Sequence, residues 1–154
     1  MIIRVDLEPA EIAVCKMMGN LRSFSARTVS SKNTPFNRDT YEIDEDGFIG
    51  EYAFCKHWNI FFDITAKPRT GSADCLLKEK RFDVKTTRVK SGKLIAKHND
   101  DIDVFALAIL HDTYVLFPGY ITAAELYKDE NKSAEFNFSY VVEQNRLQQW
   151  KDNG

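Results

Sequence analysis

Residues 74–85, Asp-Cys-Leu-Leu-Lys-Glu-Lys-Arg-Phe-Asp-Val-Lys, constrain the fold of this chain more than any other stretch. They read as two short strands joined by a charged turn. A turn centred on Lys78 and Glu79, whether its loop holds two or four residues, pairs positions whose numbers add to 157, so Asp74 falls opposite Asp83. Side chains alternate along a strand, which puts Ala73, Cys75, Leu77, Phe82 and Val84 on one apolar face. Asp74, Leu76, Arg81, Asp83 and Lys85 share the other face. Two-residue hairpin loops favour Asn-Gly or similar pairs, so Lys-Glu predicts the four-residue loop built on a type I turn.

Like charges directly opposed across a strand pair lie about 5 Å apart at Cβ and destabilise it. The repulsion is about 1 kcal/mol in water and about 3 kcal/mol at an effective dielectric of about 20. A cost of that size calls for a bound cation, a raised carboxyl pKa, or compensation by nearby cations. On the hairpin alone, a solvated sheet face with Arg81 and Lys85 as compensation is the simpler account.

Other features set the class. At 154 residues the chain is expected to form one domain, 1–154, long enough for a substantial core. A hydrophobic content of 44% with 29% charged residues excludes a disordered chain. No apolar run approaches about 18 residues and the N-terminus lacks a signal-peptide pattern, so a cytoplasmic protein with no membrane partner is expected. Cys15, Cys55 and Cys75 are scattered among apolar residues and read as core thiols, not as disulfides or a zinc cluster.

The net charge is −2, yet its distribution is uneven. From Lys67 to Lys97 there are ten Lys or Arg against three Asp or Glu, a window of +7, and the rest of the chain carries −9. Such asymmetry fits a polyanion-binding surface, and equally a solvated basic strand face.

No repeat or low-complexity linker interrupts the chain. A short N-terminal strand, IIRV, is followed by a helix capped near Asp6, with Glu8, Pro9 and Glu11 in its first turns, fading at Gly19-Asn20. Residues 21–46 are polar and aperiodic and predict a long irregular segment. A second helix is expected over about 46–58, then strands near 60–65, 73–77, 82–87, 103–110 and 113–121. A short helix near 122–128, a late strand near 136–142 and a weak C-terminal helix complete a mixed α/β chain with a mainly antiparallel or mixed sheet. On the second helix, 100° steps place Gly47, Phe48, Phe54, Cys55 and Trp58 around Glu51. A carboxylate on so aromatic a face needs a positive partner, either a Lys or Arg or something functional.

Glu51 on a helix, then Asp74, then Asp83-Val84-Lys85 in a hairpin resembles the PD-(D/E)XK nuclease superfamily. The GFIGE segment, the DVKTTR strand and the later DIDVFALAIL, FPGYI and EL segments are similar to small phage-type members, over about 46–127. The resemblance implies a mixed central β-sheet flanked by helices, a restriction-endonuclease-like core. That core carries a helix after the Asp-X-Lys strand, whereas VKSGKLIAKHNDD here is short and Gly-interrupted, a weak helix or an extra strand.

The resemblance implies a Mg²⁺- or Mn²⁺-dependent endonuclease acting on DNA, in a host cytoplasm if phage-encoded. Asp74 and Asp83 would hold the metal, Glu51 would contribute directly or through water, and Lys85 would orient the attacking water or stabilise the charged transition state. Arg22, Arg69, Arg81, Thr87, Arg88, Lys90 and Lys93 are the expected nucleic-acid contacts. RNA as substrate, a homodimer, and a non-catalytic nucleic-acid-binding accessory protein of the same fold stand as alternatives. His57, His98 and His111 have no metal spacing, and neither a P-loop nor a nucleophile elbow is present.

Overall fold

The computed structural model describes residues 1–29, 40–62 and 73–152, apart from the side chains of 23–29, 40 and 41. A strand β1 (Ile3–Asp6) leads into two helices, α1 (Pro9–Val29) and α2 (Thr40–Trp58). The hairpin β2 (Cys75–Leu77) and β3 (Lys80–Thr87) follows, then β4 (Leu94–Ala96), β5 (Val104–Leu110), β6 (Tyr114–Thr122), a single-turn α3 (Ala123–Leu126), β7 (Lys132–Ser133) and β8 (Ser139–Val142). Five strands form a mixed sheet in the order β1-β6-β5-β3-β2, parallel only between β3 and β5. A parallel pair needs a crossover, and here it carries β4, which joins β8 and β7 from after β6 in a second sheet, β4-β8-β7.

Helix α2 lies on one face of the large sheet, where Phe48, Phe54, Phe82, Val84 and Phe117 are buried, and α1 packs against α2. The small sheet and α3 accompany a second core around Leu94, Phe105, Leu107, Leu126 and Val142. All seven residues of β5 are buried, as expected of a strand covered on both faces. Cys15, Cys55 and Cys75 are buried free thiols. No helix among the described residues is long and apolar enough to cross a membrane.

Several expectations are corrected. The first helix does not fade at Gly19 but runs to Val29, and α2 starts at Thr40, so residues 21–46 are helical at both ends. Gly19 marks a close crossing, because a Cβ there would stand 2.8 Å from Glu45 Cα. The helix start also shifts. Pro9 occupies the first helical position, and the Glu11 carboxylate accepts the Glu8 backbone N–H at 2.9 Å, as in a capping box.

Residues 60–62 are not a strand, and 63–65 lie outside the described residues. Instead α2 ends in a Schellman motif: Asn59 adopts φ 52°, with the Asn59 and Ile60 N–H groups donating to Lys56 and Cys55 carbonyls. The VKSGKLIAKHNDD segment supplies β4. In place of a C-terminal α-helix there is one 3₁₀ turn, Gln144–Arg146, and an extended tail in which Gln148 exchanges both backbone hydrogen bonds with Tyr120. Gly119 makes room for that tail, since a Cβ there would lie 2.6 Å from Gln148 O.

Candidate active site

The hairpin register is the expected one: Cys75 pairs with Phe82, Leu76 with Arg81 and Leu77 with Lys80. The loop is not. Lys78 and Glu79 alone make the turn, both in the left-handed region at φ 49° and 63°, as a type I′ turn requires. The twist of the strands therefore outweighs residue preference.

Along β3 alternate side chains part to opposite faces. Phe82 and Val84 join the helix-side core, and Thr86 lies so close to α2 that a Cβ on Gly50 would overlap its hydroxyl. Asp83 and Lys85 point the other way, into a cleft of about 680 Å³ between the large sheet and the small one. Lys97, His98, Asn137 and Ser139 line the same cleft. A neighbouring hollow shares Lys85, Ile95 and Phe136 and extends past Thr87 to Lys93.

Asp83 is only 8% exposed, and the Lys85 ammonium sits 2.6 Å from its Oδ2. That contact is ionic, because Oδ2 has no partner in hydrogen-bonding geometry. Asp74 lies just before β2, and its Oδ2 accepts the Val84 backbone N–H at 2.8 Å. The recorded pairing stops at Cys75 and Phe82, one step short of the two aspartates, and each has its own partner: one carboxylate takes a backbone N–H and the other an ammonium.

Glu51 is 3% exposed, on the helix side of the sheet. Its Oε2 accepts from Arg22 Nη1 at 3.2 Å, and the Arg22 guanidinium lies 4.3 Å over the Phe48 ring. Among the described residues, Arg22 is a positive partner of the kind that aromatic face demands. Asp83 and Lys85 meet in the cleft and Asp74 is tied to the Val84 N–H between them, but neither Asp74 nor Glu51 lines the cleft.

The expected nucleic-acid contacts divide by partner. Arg81 makes a two-pronged pair with Asp103, both contacts at 3.0 Å. Arg88 does the same with the buried Asp46 at 2.7 and 2.8 Å, tying the end of β3 to α2. Thr87 Oγ1 accepts the Val89 N–H, Lys93 lies 3.6 Å from Glu143, and Lys90 is exposed. Arg69 lies outside the described residues.

Sequence reasoning missed His98 as a cleft residue. Its ring stacks on Tyr127 at 4.2 Å and its Nε2 lies 2.7 Å from Asp100 Oδ1. KHND gave no usable signal, because the small sheet that delivers it was not legible. Burial, aided by Glu11 and Glu51, pushes the Cys15 thiol up to about 12. Contact with Cys55, together with burial, holds Cys75 well above the ordinary thiol range.

Among the described residues, no three His, Cys, Asp or Glu side chains converge into a group able to hold a metal. The two hairpin carboxylates nonetheless have suitable chemistry. Asp83 Oδ2, buried and without a hydrogen bond, and the Asp74 carboxylate form an all-oxygen donor set of the kind Mg²⁺ prefers, completed by water and phosphate. Comparison of the chain with protein-family models, with curated proteins and with solved structures gave no match.

Proposed function

We propose that this chain is a divalent-metal-dependent endonuclease that hydrolyses DNA phosphodiester bonds. The observation that carries the reading is the Asp83–Lys85 pair in the cleft, with the Asp74 carboxylate anchored to the backbone N–H between them. A buried carboxylate beside a half-exposed ammonium supports phosphoryl chemistry better than it supports fold stability, since buried ion pairs repay little of their desolvation.

Asp83 and Asp74 are the residues that would hold Mg²⁺ or Mn²⁺, which supplies Lewis-acid activation of water and of the phosphoryl oxygen when bound. Lys85 has the reach to leave Asp83 and stabilise charge on a non-bridging phosphate oxygen. Lys97 in the cleft and Lys93 in the neighbouring hollow would hold the flanking backbone. Glu51, paired with Arg22, fastens α1 to α2 behind the strand that bears the site.

The second reading is a non-catalytic nucleic-acid binder, and the observation that favours it is Glu51 standing away from the cleft. Incubation with supercoiled, linear, branched and single-stranded DNA, and with RNA, in Mg²⁺, Mn²⁺ or EDTA decides between them. Metal-dependent cleavage lost in Asp83→Asn is the expected result. Binding without cleavage of any substrate under either metal would overturn the enzyme reading in favour of the binder.

A further inference from the structure

A second pocket, of about 290 Å³, lies on the opposite face of β3 from the Asp83 cleft. It forms where α2 ends, between the β2–β3 hairpin and the C-terminal tail. Its walls are aromatic: Trp58, Phe82, Tyr120 and Trp150. Trp150 lies 5.6 Å from Trp58 and 4.6 Å from Tyr120 between ring centroids. Its rim carries Lys78, Lys80 and Lys151, all exposed.

An aromatic cluster meant only as core would close on itself, yet this one keeps an open volume with three ammonium groups around it. Among the described residues none of these lysines makes a salt bridge, although the chain as a whole is acidic. The indole N–H of Trp150 is buried and has no hydrogen-bond partner. Buried polar groups are nearly always satisfied, so an unused donor in such a wall is itself an anomaly. The volume sits at the small end of ligand pockets, about 300–1,000 Å³, which suits one base and not a duplex.

We propose that this pocket binds a single nucleotide, its base against Trp58, Tyr120 and Trp150 and its phosphate against Lys78, Lys80 and Lys151. Aromatic faces accept any base by stacking, and ammonium groups supply the phosphate attraction. A free nucleotide and one base of a single strand present the same chemistry. The site goes beyond the nuclease reading and does not depend on it.

Trp58 and Trp150 are the only two tryptophans of the chain, so all indole fluorescence reports from this pocket. The full chain is titrated in EDTA, where metal-dependent cleavage cannot intervene, with nucleoside monophosphates, nucleosides, inorganic phosphate and a short single-stranded oligonucleotide. The expected result is saturable quenching by monophosphates at or below about 1 mM, at least about tenfold weaker for nucleoside or phosphate alone. The double variant Lys80→Ala/Lys151→Ala, which changes only exposed side chains, should weaken it by about tenfold or more. Quenching by the oligonucleotide alone assigns the base to a strand and supports the site equally. No saturable quenching by either probe, or quenching unchanged in the double variant, overturns the proposal. Either failure leaves the cleavage assay untouched, and failed cleavage leaves this titration untouched.

Discussion

At the scale of single residues, the register arithmetic of the hairpin was legible, and the partners of its charges were not. Glu51 was seen to need a cation, but Arg22 stands 29 positions away on another helix, a tertiary fact that periodicity does not carry. Lys85 shows the same limit. Read as a solvent-face residue it should cost little stability when truncated, yet it neutralises a buried carboxylate 2.6 Å away. Lys85→Ala should therefore lower cleavage by about 100-fold and also cost about 1–3 kcal/mol in urea unfolding. The double variant Asp83→Asn/Lys85→Ala should be more stable than the summed single losses of Asp83→Asn and Lys85→Ala. Simple additivity would mean the pair is not coupled. Glu11 gives a pH prediction. Burial alone would raise its pKa, but hydrogen bonds from Lys56, Tyr52 and the Glu8 N–H outweigh it and bring the carboxyl down to about 2. A folded pKa below the unfolded one means the contribution is present above about 4.3 and is lost as pH falls through about 2. Solvent screening of the exposed Lys56 reduces the effect, so stability measured across that window should fall by about 1 kcal/mol on this account, and Glu11→Gln should flatten the decline.

At the scale of elements, the hairpin, β5 and β6 were legible from their apolar pattern, whereas the strand expected near 60–65 is not formed over 60–62 and the first helix was cut short at its glycine. Gly19 reads as a stop, but it and Gly50 each mark where another segment comes too close for a side chain. Contact of that kind leaves no trace in local propensity. Gly50→Ala forces a methyl into Thr86, so α2 must move off β3, and a loss of about 1–3 kcal/mol is expected despite alanine's better helix propensity. A stability gain in thermal melting would show that the α2–β3 approach is looser than it stands. The turn argues in the opposite direction. Glu79 sits at φ 63° with an exposed side chain, where left-handed backbone costs an ordinary residue about 1–2 kcal/mol. Allowing for the chain entropy that glycine adds to the unfolded state, Glu79→Gly should stabilise the protein by about 0.5–1 kcal/mol in urea unfolding. Destabilisation would instead favour the four-residue loop.

At the scale of the molecule, the sequence showed how much positive charge the 67–97 window carries and could not show how much of it is already spent. Folding brings acidic residues from outside the window onto its arginines: Asp103 onto Arg81 and Asp46 onto Arg88. Lys85 is held by Asp83 within the window, and Lys93 lies within reach of Glu143. Of the window's described cations, Lys78, Lys80, Lys90 and Lys97 make no salt bridge among the described residues, and only Lys97 of these lines the cleft. This changes what DNA binding should look like. A duplex neutralised by the entire window would release counterions from roughly seven to ten phosphates, whereas a surface of this kind engages roughly three to five. The logarithm of the binding constant should then fall against the logarithm of salt with a slope of about −3 to −4. Lys90→Ala/Lys97→Ala, which removes two lysines that make no salt bridge among the described residues, should reduce that slope by about 2. Arg81→Ala should alter it by less than about 0.5, because its guanidinium is already committed to Asp103. The measurement is fluorescence anisotropy of labelled duplex across a salt series in EDTA. A steeper slope that Arg81→Ala relaxes as much as the lysine pair would show that DNA displaces the carboxylates and that the window acts as one surface. A flat salt dependence would remove DNA from this face altogether.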